Sequence, residues 1–450
     1  MPQKKKPAPK MERKTNNKKK SAKEKRVQSV KGMRDFLEDD QLLLEKILDT
    51  FKDLTRFYNY RLISTPIVEP LELFERSSGQ DSDIVQKEMY QVKAKGSSKQ
   101  LGLRPEFTPS AVRAYIENGL THQPHPLKLA LYGPLFRHDK PQLGRYRQFY
   151  QADLEIFSTK NNPLYDAQVI LASYRLFEAF KIKDVIIQIN SIGCKSCRPN
   201  YIKQLAEHYK KNKKSACDDC KERLSKNTLR LLDCKKDKCQ ELKSNSPMSL
   251  EHLCAECKPH FKSVLEYLEE LALPYNLNHT LVRGLDYYSK TVFEFTLEKS
   301  DENEKFQSLS LGGGGRYDYL VEHFGGRHTP AVGVGIGLDR IMDVIKERKL
   351  NITVRPKDKV FLIHIGELAK RKSLTLIEEL RKSKIQIREA LGKESLASQL
   401  KIADRLGVKI SLIFGQKEAF EDSVILRDMK TGAQETVPLA KISKVLRKRL

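Results

Sequence analysis

The sequence lacks any apolar segment that approaches the ~20 residues a membrane-spanning helix needs. No secretory signal peptide opens it. Acidic residues are in short supply, since 58 Asp and Glu stand against 83 Lys and Arg and leave a formal charge of +25. These absences predict a cytoplasmic protein without membrane segments, and the basic excess points to a polyanionic partner.

At 450 residues, of which 39% are apolar, the chain is long enough for two to four domains with real cores. Residues 1–28 carry a net +10 and almost nothing to bury, so we expect a disordered basic tail. Its composition argues against a mitochondrial transit peptide. Its role stays open between loose contact with a phosphate backbone and simple solubilisation.

Apolar periodicity organises the rest of the chain. Helical spacing covers residues 42–54, with Asp40 as the expected N-cap. A strand pattern at 61–70 is interrupted by Pro66, which suits a sheet edge or an interface. Further strand-like stretches lie at 128–158, 184–190, 281–297 and 306–312, and the last is followed by a glycine run and a helix from about Gly337. We expect one domain over residues 29–348, interrupted by a polar insertion at about 191–270.

The C-terminal residues have a different pattern of secondary structure. Over 356–450, strand patterns such as "KVFLIHIG" alternate with helical ones such as "SLASQLKIADRLG". That alternation predicts a small α/β domain with a largely parallel sheet.

All eight cysteines lie in the insertion, and they form four pairs along the sequence. Pairs with two intervening residues let one turn aim both sulfurs at a metal, so one or two structural Zn²⁺ sites are predicted. A catalytic zinc is not expected, because no histidine lies at ligand spacing among the cysteines. Disulfides are the weaker interpretation, because the sequence has no secretory signal. Reduced thiols in a small insertion remain the alternative. The pairs are Cys194 and Cys197, Cys217 and Cys220, Cys234 and Cys239, and Cys254 and Cys257.

Four separated stretches place charged groups where strand patterns predict burial: "LRPEFT" (103–108), "FRHDKPQLGRYRQFYQADLEIF" (136–157), "RGLDYY" (283–288) and "LGGGGRYD…TPAVGVGIGLDR" (311–340). Each alone has an ordinary explanation, such as a surface ion pair, a solvated basic loop or a flexible glycine turn. Arg283 differs, because a buried guanidinium needs an acidic partner or an anion.

Together these stretches resemble the histidyl-tRNA synthetase family of class II aminoacyl-tRNA synthetases, in its bacterial type. "RGLDYYSKTVFEF" and "GGGGRYDYLVEHFGG" resemble the two signatures of the histidine enzymes. "PIVEP", "FRHDKPQLGRYRQFYQ" and "GVGIGLDR" resemble class motifs 1, 2 and 3. The resemblance covers residues 30–450. It implies an α+β catalytic domain built on an antiparallel sheet, followed by a small α/β anticodon-binding domain.

The resemblance implies a histidine–tRNA ligase, which joins L-histidine to ATP as an adenylate, releases pyrophosphate and passes histidine to the 3′ end of tRNA(His). ATP would be used with Mg²⁺. Arg137 and Arg283 would grip the reacting α-phosphate from opposite sides, and Arg340 would hold the far phosphates. Cations aimed at the charge that develops there are expected to be the largest catalytic term.

The same resemblance implies the remaining site residues. The residues that bind histidine would include a set for its ammonium and a set that clamps its imidazole: Glu106, Phe107, Thr108, Gln151, Glu155, Tyr287 and Tyr288. A carboxylate on one ring nitrogen would fix the tautomer and reject apolar isosteres. Arg145 lies in the loop that covers ATP, and Lys140 and Gln142 at its tip are candidates for contacting the tRNA acceptor end.

A homodimer through the motif 1 face is also implied. The main alternative is a non-catalytic, histidine-sensing paralogue such as the regulatory subunit of ATP phosphoribosyltransferase. Such paralogues typically lose the catalytic arginines and the anticodon domain, and both are present here. A zinc-bearing nucleic-acid-binding module is a third reading, but it leaves the buried arginines and acidic pocket residues unexplained.

Overall fold

The structure is a computed structural model that describes residues 27–78, 84–93, 95–96, 98–298, 310–354 and 360–450. Most of the basic tail therefore lies outside the described residues. The chain divides into two compact units, residues 1–350 and 351–450. Among the described residues, no helix has both the length and the apolar character that a bilayer crossing needs.

The larger unit contains eleven of the strands that the structure describes: β1 Arg61–Leu62, β2 Val68–Pro70, β3 Gln91–Val92, β4 Leu101–Leu103, β5 Leu127–Phe136, β6 Gln148–Phe157, β7 Val185–Ser191, β8 Tyr275–Leu277, β9 Ser289–Leu297, β10 Gly312–Arg316 and β11 Ala331–Gly337. Its described α-helices are α1 Glu38–Phe57, α2 Leu71–Ser78, α3 Thr108–Glu117, α4 Pro163–Ala179, α5 Arg198–Lys211, α6 Asp218–Lys226, α7 Gln240–Ser244, α8 Cys257–Glu270, α9 Leu320–His323 and α10 Leu338–Glu347.

Eight of these strands form one sheet in the order β1-β5-β6-β11-β10-β9-β7-β8. All the central pairings, from β5 to β7, are antiparallel, and only the outermost strands β1 and β8 pair in parallel. Strands β2, β3 and β4 form a separate small sheet. The predicted antiparallel α+β fold is confirmed.

Helix α1 confirms the predicted helical segment but not its cap. Its buried side chains Leu43, Leu44, Ile47 and Phe51 recur at helical spacing and pack towards α4 and α10. The N-cap is Leu37, and Asp40 lies instead in the first turn, where its charge favours the positive end of the helix dipole. The pattern at 61–70 does break into β1 and β2 around Pro66.

One strand prediction is wrong, and one ordinary explanation that the sequence left open does not apply. Residues 281–288 form turns rather than a strand, and β9 begins only at Ser289. The glycine run is no flexible turn, because Gly312–Arg316 is strand β10 in the middle of the sheet. The stretch 306–312 falls largely outside the described residues.

The second unit carries strands β12 Val360–His364, β13 Arg388–Glu389, β14 Ile410–Phe414, β15 Ser423–Asp428 and β16 Gln434–Pro438, with helices α11 Glu367–Lys382, α12 Leu396–Leu406, α13 Gln416–Phe420 and α14 Leu439–Arg449. Its sheet order is β13-β12-β14-β15-β16. The α/β character is confirmed, but the sheet is mixed rather than largely parallel. Strands β15 and β16 add an antiparallel edge, since the connection after β14, which contains α13, returns the chain beside it.

Candidate active site

A floor of glycines lies at the centre of the large sheet. The register pairs two residues of β10 with two of β11 on one face of the sheet. The four are Gly313, Gly315, Gly333 and Gly335. Because none carries a Cβ, side chains from neighbouring elements lie directly on the backbone there, and we call this surface the glycine floor.

Four side chains that the sequence predicted as site residues occupy that floor. A Cβ at Gly333 would lie 1.6 Å from Glu155 Oε2. Corresponding atoms at Gly335, Gly313 and Gly315 would lie 2.0 Å from Gln151, 2.6 Å from Arg283 and 3.0 Å from Tyr288. The first three distances are shorter than real Cβ atoms show, and the fourth is tighter than most of them. At Gly315 the same Cβ would also lie 2.6 Å from Thr291 O. The glycines are therefore required so that these four groups can lie together.

Glu155 lies over Gly333 of the glycine floor and is fully buried. Its carboxylate accepts hydrogen bonds from Thr108 Oγ1 at 2.7 Å and from the Tyr317 hydroxyl at 2.5 Å. Burial raises the pKa of Glu155 to about 7, although both hydrogen bonds oppose the rise. A carboxyl group with such a pKa is poised between its two states near neutral pH.

A second carboxylate, that of Glu106, lies near enough to Glu155 to contribute to the rise in its pKa. Glu106 is buried and accepts a hydrogen bond from the Tyr287 hydroxyl at 2.7 Å. The Tyr287 ring contacts the rings of Tyr288 and Tyr317 at centroid distances of 4.7 Å and 5.9 Å. Two buried carboxylates and three tyrosine rings therefore lie together, and we call this group the acidic pocket.

Gln151 and Phe107 occupy different surroundings. Gln151 Nε2 donates to Asp153 Oδ1 at 2.8 Å, and burial raises the pKa of Asp153 well above its ordinary value. The Phe107 ring lies in a small apolar cluster with Ala111, Leu131 and Leu135. Its ring is therefore part of the core beneath the pocket.

Three arginines surround one end of the sheet. The registers place Phe136, Gly337 and Gly312 at this end. Arg137 follows Phe136 and donates through Nε to Pro105 O at 2.9 Å. Arg340, on the first turn of α10, donates to Gly144 O at 3.0 Å and to Ser310 O.

Arg283 reaches the same end from the turn before β9. It forms an ion pair with Glu294, and its buried Nε has no acceptor among the residues the structure describes. Burial lowers the pKa of Arg340 to about 10, and repulsion from Arg137, Arg145 and Arg283 contributes to this shift. The structure thus brings the predicted guanidinium groups together, with one carboxylate, Glu294, close to two of them.

The loop between β5 and β6 carries the remaining predicted residues. Arg145 pairs with Asp139 at 3.0 Å, and Lys140 and Gln142 are exposed at the tip. Gln142 bridges to Arg145 across the turn. The tip is therefore free to meet a large partner.

The eight cysteines form two groups of four. Cys194, Cys197, Cys254 and Cys257 lie together, as do Cys217, Cys220, Cys234 and Cys239, with the sulfurs of each group within 4.8 Å of one another. The sequence showed the pairs but not which of them meet.

Several functional side chains were not singled out from the sequence. Tyr317 holds Glu155, Glu294 pairs with Arg283, and Arg34 binds Asp339 at 2.6 Å beside Arg340. Alternation of side chains between the two faces of a strand could have indicated Tyr317 and Glu294. Tyr317 extends the odd-numbered face of β10 that carries Gly313 and Gly315, and Glu294 pairs with Gly313 in the register.

The antiparallel sheet of the larger unit is that of a class II aminoacyl-tRNA synthetase catalytic domain. The chain belongs to the histidyl-tRNA synthetase family. The family profile "Histidyl-tRNA synthetase" matches residues 32–341, and the profile "Anticodon binding domain" matches residues 359–449.

Individual relatives agree with this assignment. The chain is 40% identical over 423 residues to the histidine–tRNA ligase of Dehalococcoides mccartyi, covering 94% of this chain and all of that protein. It is 40% identical over 405 residues to the histidine–tRNA ligase of Thermosipho melanesiensis, covering 90% and 94%. Among solved structures, apo histidyl-tRNA synthetase from S. aureus has a TM-score of 0.77 at 30% identity, covering 93% of this chain and 99% of that one.

Proposed function

We propose that this protein is a histidine–tRNA ligase that activates L-histidine with ATP and transfers it to the 3′ end of tRNA(His). The observation that carries the proposal is the placement of Arg283 and Glu155 on one glycine floor. A cation for a reacting phosphate and a carboxyl group for an imidazole then lie on the same short surface. Near-attack geometry of this kind is a large part of catalysis.

Histidine binds between the two acidic groups. Glu155 accepts a hydrogen bond from one imidazole nitrogen, and Thr108 and Tyr317 hold the carboxylate in place. Glu106, fixed by Tyr287, takes the ammonium together with Gln151. A substrate without a ring N–H cannot donate this further hydrogen bond to the buried Glu155, and the lost bond lowers its affinity relative to histidine.

The arginines bind ATP. Arg137 and Arg283 take the α-phosphate, on which negative charge accumulates during attack by the histidine carboxylate, and Arg340 and Arg145 take the outer phosphates. The open Nε of Arg283 supports this role, as does the repulsion that lowers the pKa of Arg340. Mg²⁺ supplies further neutralisation of the triphosphate when it is bound.

The rest of the chain supplies the surfaces for tRNA and for a second copy of the protein. The loop tip at Lys140 and Gln142 meets the acceptor end of tRNA, and residues 356–450 bind the anticodon region. A homodimer forms through the motif 1 face, where apolar side chains are exposed beside the edge strand β1: Phe57, Leu62, Ile67 and Val68. We place the protein in the cytoplasm, and we assign structural Zn²⁺ to the cysteine groups.

A non-catalytic regulatory paralogue is the alternative. A Bacillus halodurans protein described as an ATP phosphoribosyltransferase regulatory subunit/histidyl-tRNA synthetase shares the fold, with a TM-score of 0.58 at 18% identity. That likeness concerns the fold alone. The arginine cluster favours the enzyme, because a histidine sensor has no need of a site for a triphosphate.

Histidine-dependent exchange of labelled pyrophosphate into ATP tests the proposal. We expect exchange by the purified protein with histidine, and none when histidine is replaced by another amino acid. Arg283→His should remove most of the exchange and leave histidine binding measurable by calorimetry. Histidine binding without exchange in the unmodified protein would favour the regulatory paralogue.

A further inference from the structure

The two cysteine groups have the dimensions of metal sites. In the first, Cys194 Sγ lies 3.7 Å from Cys197 Sγ and 3.8 Å from Cys254 Sγ. In the second, Cys217 Sγ lies 3.9 Å from Cys234 Sγ. A tetrahedron of thiolates around Zn²⁺, with bonds of ~2.3 Å, has edges of about 3.8 Å. The sulfurs therefore stand where four zinc ligands would stand.

The surroundings favour a metal over plain thiols. The first group forms a separate core cluster made of Cys194, Cys197 and Cys257, against which Leu253 and Cys254 pack. Backbone N–H groups donate to the sulfurs, from Cys194 to Cys197 and from Cys217 to Cys239, which stabilises thiolates. Four thiolates on one Zn²⁺ leave a charge of about −2, and the turns are rich in lysine.

The second group is joined to the active site through Arg230. This residue lies between Cys220 and Cys234 in the sequence and donates to Gly284 O at 2.7 Å while it pairs with Asp233 at 2.7 Å. Asn227, from the same short stretch, donates to Asp286 at 2.9 Å. Gly284 directly follows Arg283, so this stretch holds the start of the turn that carries the arginine.

The first group is joined to the other end of that turn through Arg198. This residue follows Cys197 and donates to Tyr288 O at 2.6 Å and to Gly193 O at 3.0 Å. Gly193 precedes Cys194, has φ +73°, and leaves only 2.8 Å between a would-be Cβ and Cys197 Sγ. The Arg198 side chain therefore links the backbone at this cysteine turn to the carbonyl of Tyr288.

We propose that each cysteine group binds one Zn²⁺ as four thiolates, releasing the thiol protons, and that the two ions hold the two ends of segment 283–288 through Arg230 and Arg198. The first part stands independently of the reaction. The second part rests on the proposed function, because Arg283, Tyr287 and Tyr288 are its site residues. Arg198 and Arg230 are positioning residues, since they touch the segment and not the substrate.

Metal analysis of protein purified without added metal tests the first part. We expect two equivalents of zinc per chain, and one in each of Cys257→Ser and Cys220→Ser, which disrupt different groups. Replacement by Co²⁺ should give the visible absorption of tetrahedral thiolate cobalt at both sites. Iron in place of zinc, less than half an equivalent of metal, or loss of both ions from a single substitution would overturn the assignment.

Substitution of Arg230 tests the second part. Arg230→Ala should keep two zinc ions yet raise the KM for histidine about tenfold and speed amide hydrogen exchange over 283–288, because the segment loses its anchor. Arg230→Lys should recover part of the effect by restoring one donor. Lys262→Ala, which removes an exposed ion pair on α8, is the matched control and should change neither quantity.

The outcomes separate the two proposals. If Arg230→Ala speeds hydrogen exchange but the unmodified protein shows no pyrophosphate exchange, the zinc coupling stands and the proposed function fails. If Arg230→Ala retains two zinc ions and leaves the exchange of 283–288 and the KM unchanged, the coupling is overturned while the enzyme assignment stands.

Discussion

Arg283 forms an ion pair with Glu294 across the turn that leads into β9. Burial alone would lower the pKa of Arg283, but Glu294 raises it above the ordinary value. The same carboxylate also acts on Arg340. Burial lowers the pKa of Arg340, and Glu294 offsets part of that lowering. Glu294 therefore holds one guanidinium and attracts another.

Arg283→Lys should lower the rate of pyrophosphate exchange about 10²-fold or more, because lysine keeps the charge but loses the planar fork that can bridge two oxygens. The loss should be in kcat, measured at saturating ATP and histidine. Arg348→Lys is the matched control, since Arg348 pairs with Asp184 at 2.6 Å outside the site. Equal losses in both variants would show that the effect is not specific to the phosphate site.

Glu155→Gln should stabilise the ligand-free protein above neutral pH. The folded pKa of Glu155, about 7, lies above the ordinary 4.5, so the folded state holds the proton longer and its stability falls as pH rises from about 4.5 to 7. Glutamine has no charge to desolvate. The gain over the unmodified protein in the free energy of unfolding should therefore grow by about 2 kcal/mol between pH 5 and pH 8.

Urea unfolding at the two pH values measures this difference. The exposed carboxylate of Glu270 on α8 supplies a control, and Glu270→Gln should show no such growth. The same Glu155→Gln variant should bind histidine poorly, since the imidazole loses its charged acceptor. If the difference in the free energy of unfolding between Glu155→Gln and the unmodified protein were smaller at pH 8 than at pH 5, burial would not raise the pKa of Glu155.

The sequence predicted elements whose reasons are local. Helix α1 follows from apolar spacing, and the helix that begins after Gly337 follows from the break in strand alternation. The segment 281–288 was read as a strand because its apolar residues continue into β9. Gly284 and Asp286 are turn-forming residues within it, and they were the signal against that reading.

The parts that the sequence left open depend on distant residues. Glycine is a poor strand former, so only the neighbours of Gly313 and Gly333 explain why a glycine run is a central strand. Cys194 and Cys254 meet across 60 residues, and nothing in the spacing of the pairs shows that they do. The arginine and histidine-pocket residues were found through family motifs, whereas Tyr317 and Glu294 needed the register.

Gly333→Ala should damage histidine binding with little effect on ATP. The new Cβ would overlap Glu155 Oε2, so this buried carboxylate would have to leave its position. We expect the KM for histidine to rise at least tenfold and the KM for ATP to stay within about threefold. Gly392→Ala is the control, because a Cβ there meets nothing within 4 Å. Comparable increases for both substrates would indicate general disruption of the sheet.

Asp166→Ala should destabilise the larger unit severely. Asp166, in the first turn of α4, pairs with the fully buried Arg316 of β10 at 2.5 Å, and Asp318 is the other carboxylate on that guanidinium. Burial alone would raise the pKa of Asp166, but Arg316 and His260 lower it below the ordinary value. The pair therefore contributes stability that is present above pH ~4 and lost at lower pH.

Removing the Asp166 carboxylate leaves a buried guanidinium partly uncompensated, which costs about 3–5 kcal/mol. Urea unfolding at pH 7 measures the loss, and it should shrink as the pH is lowered through the titration of Asp166. Glu266→Ala breaks the exposed pair with Lys262 and should cost less than about 1 kcal/mol. A similar small cost for Asp166→Ala would mean that Asp318 alone compensates Arg316, and that α4 is held to β10 by apolar packing rather than by this ion pair.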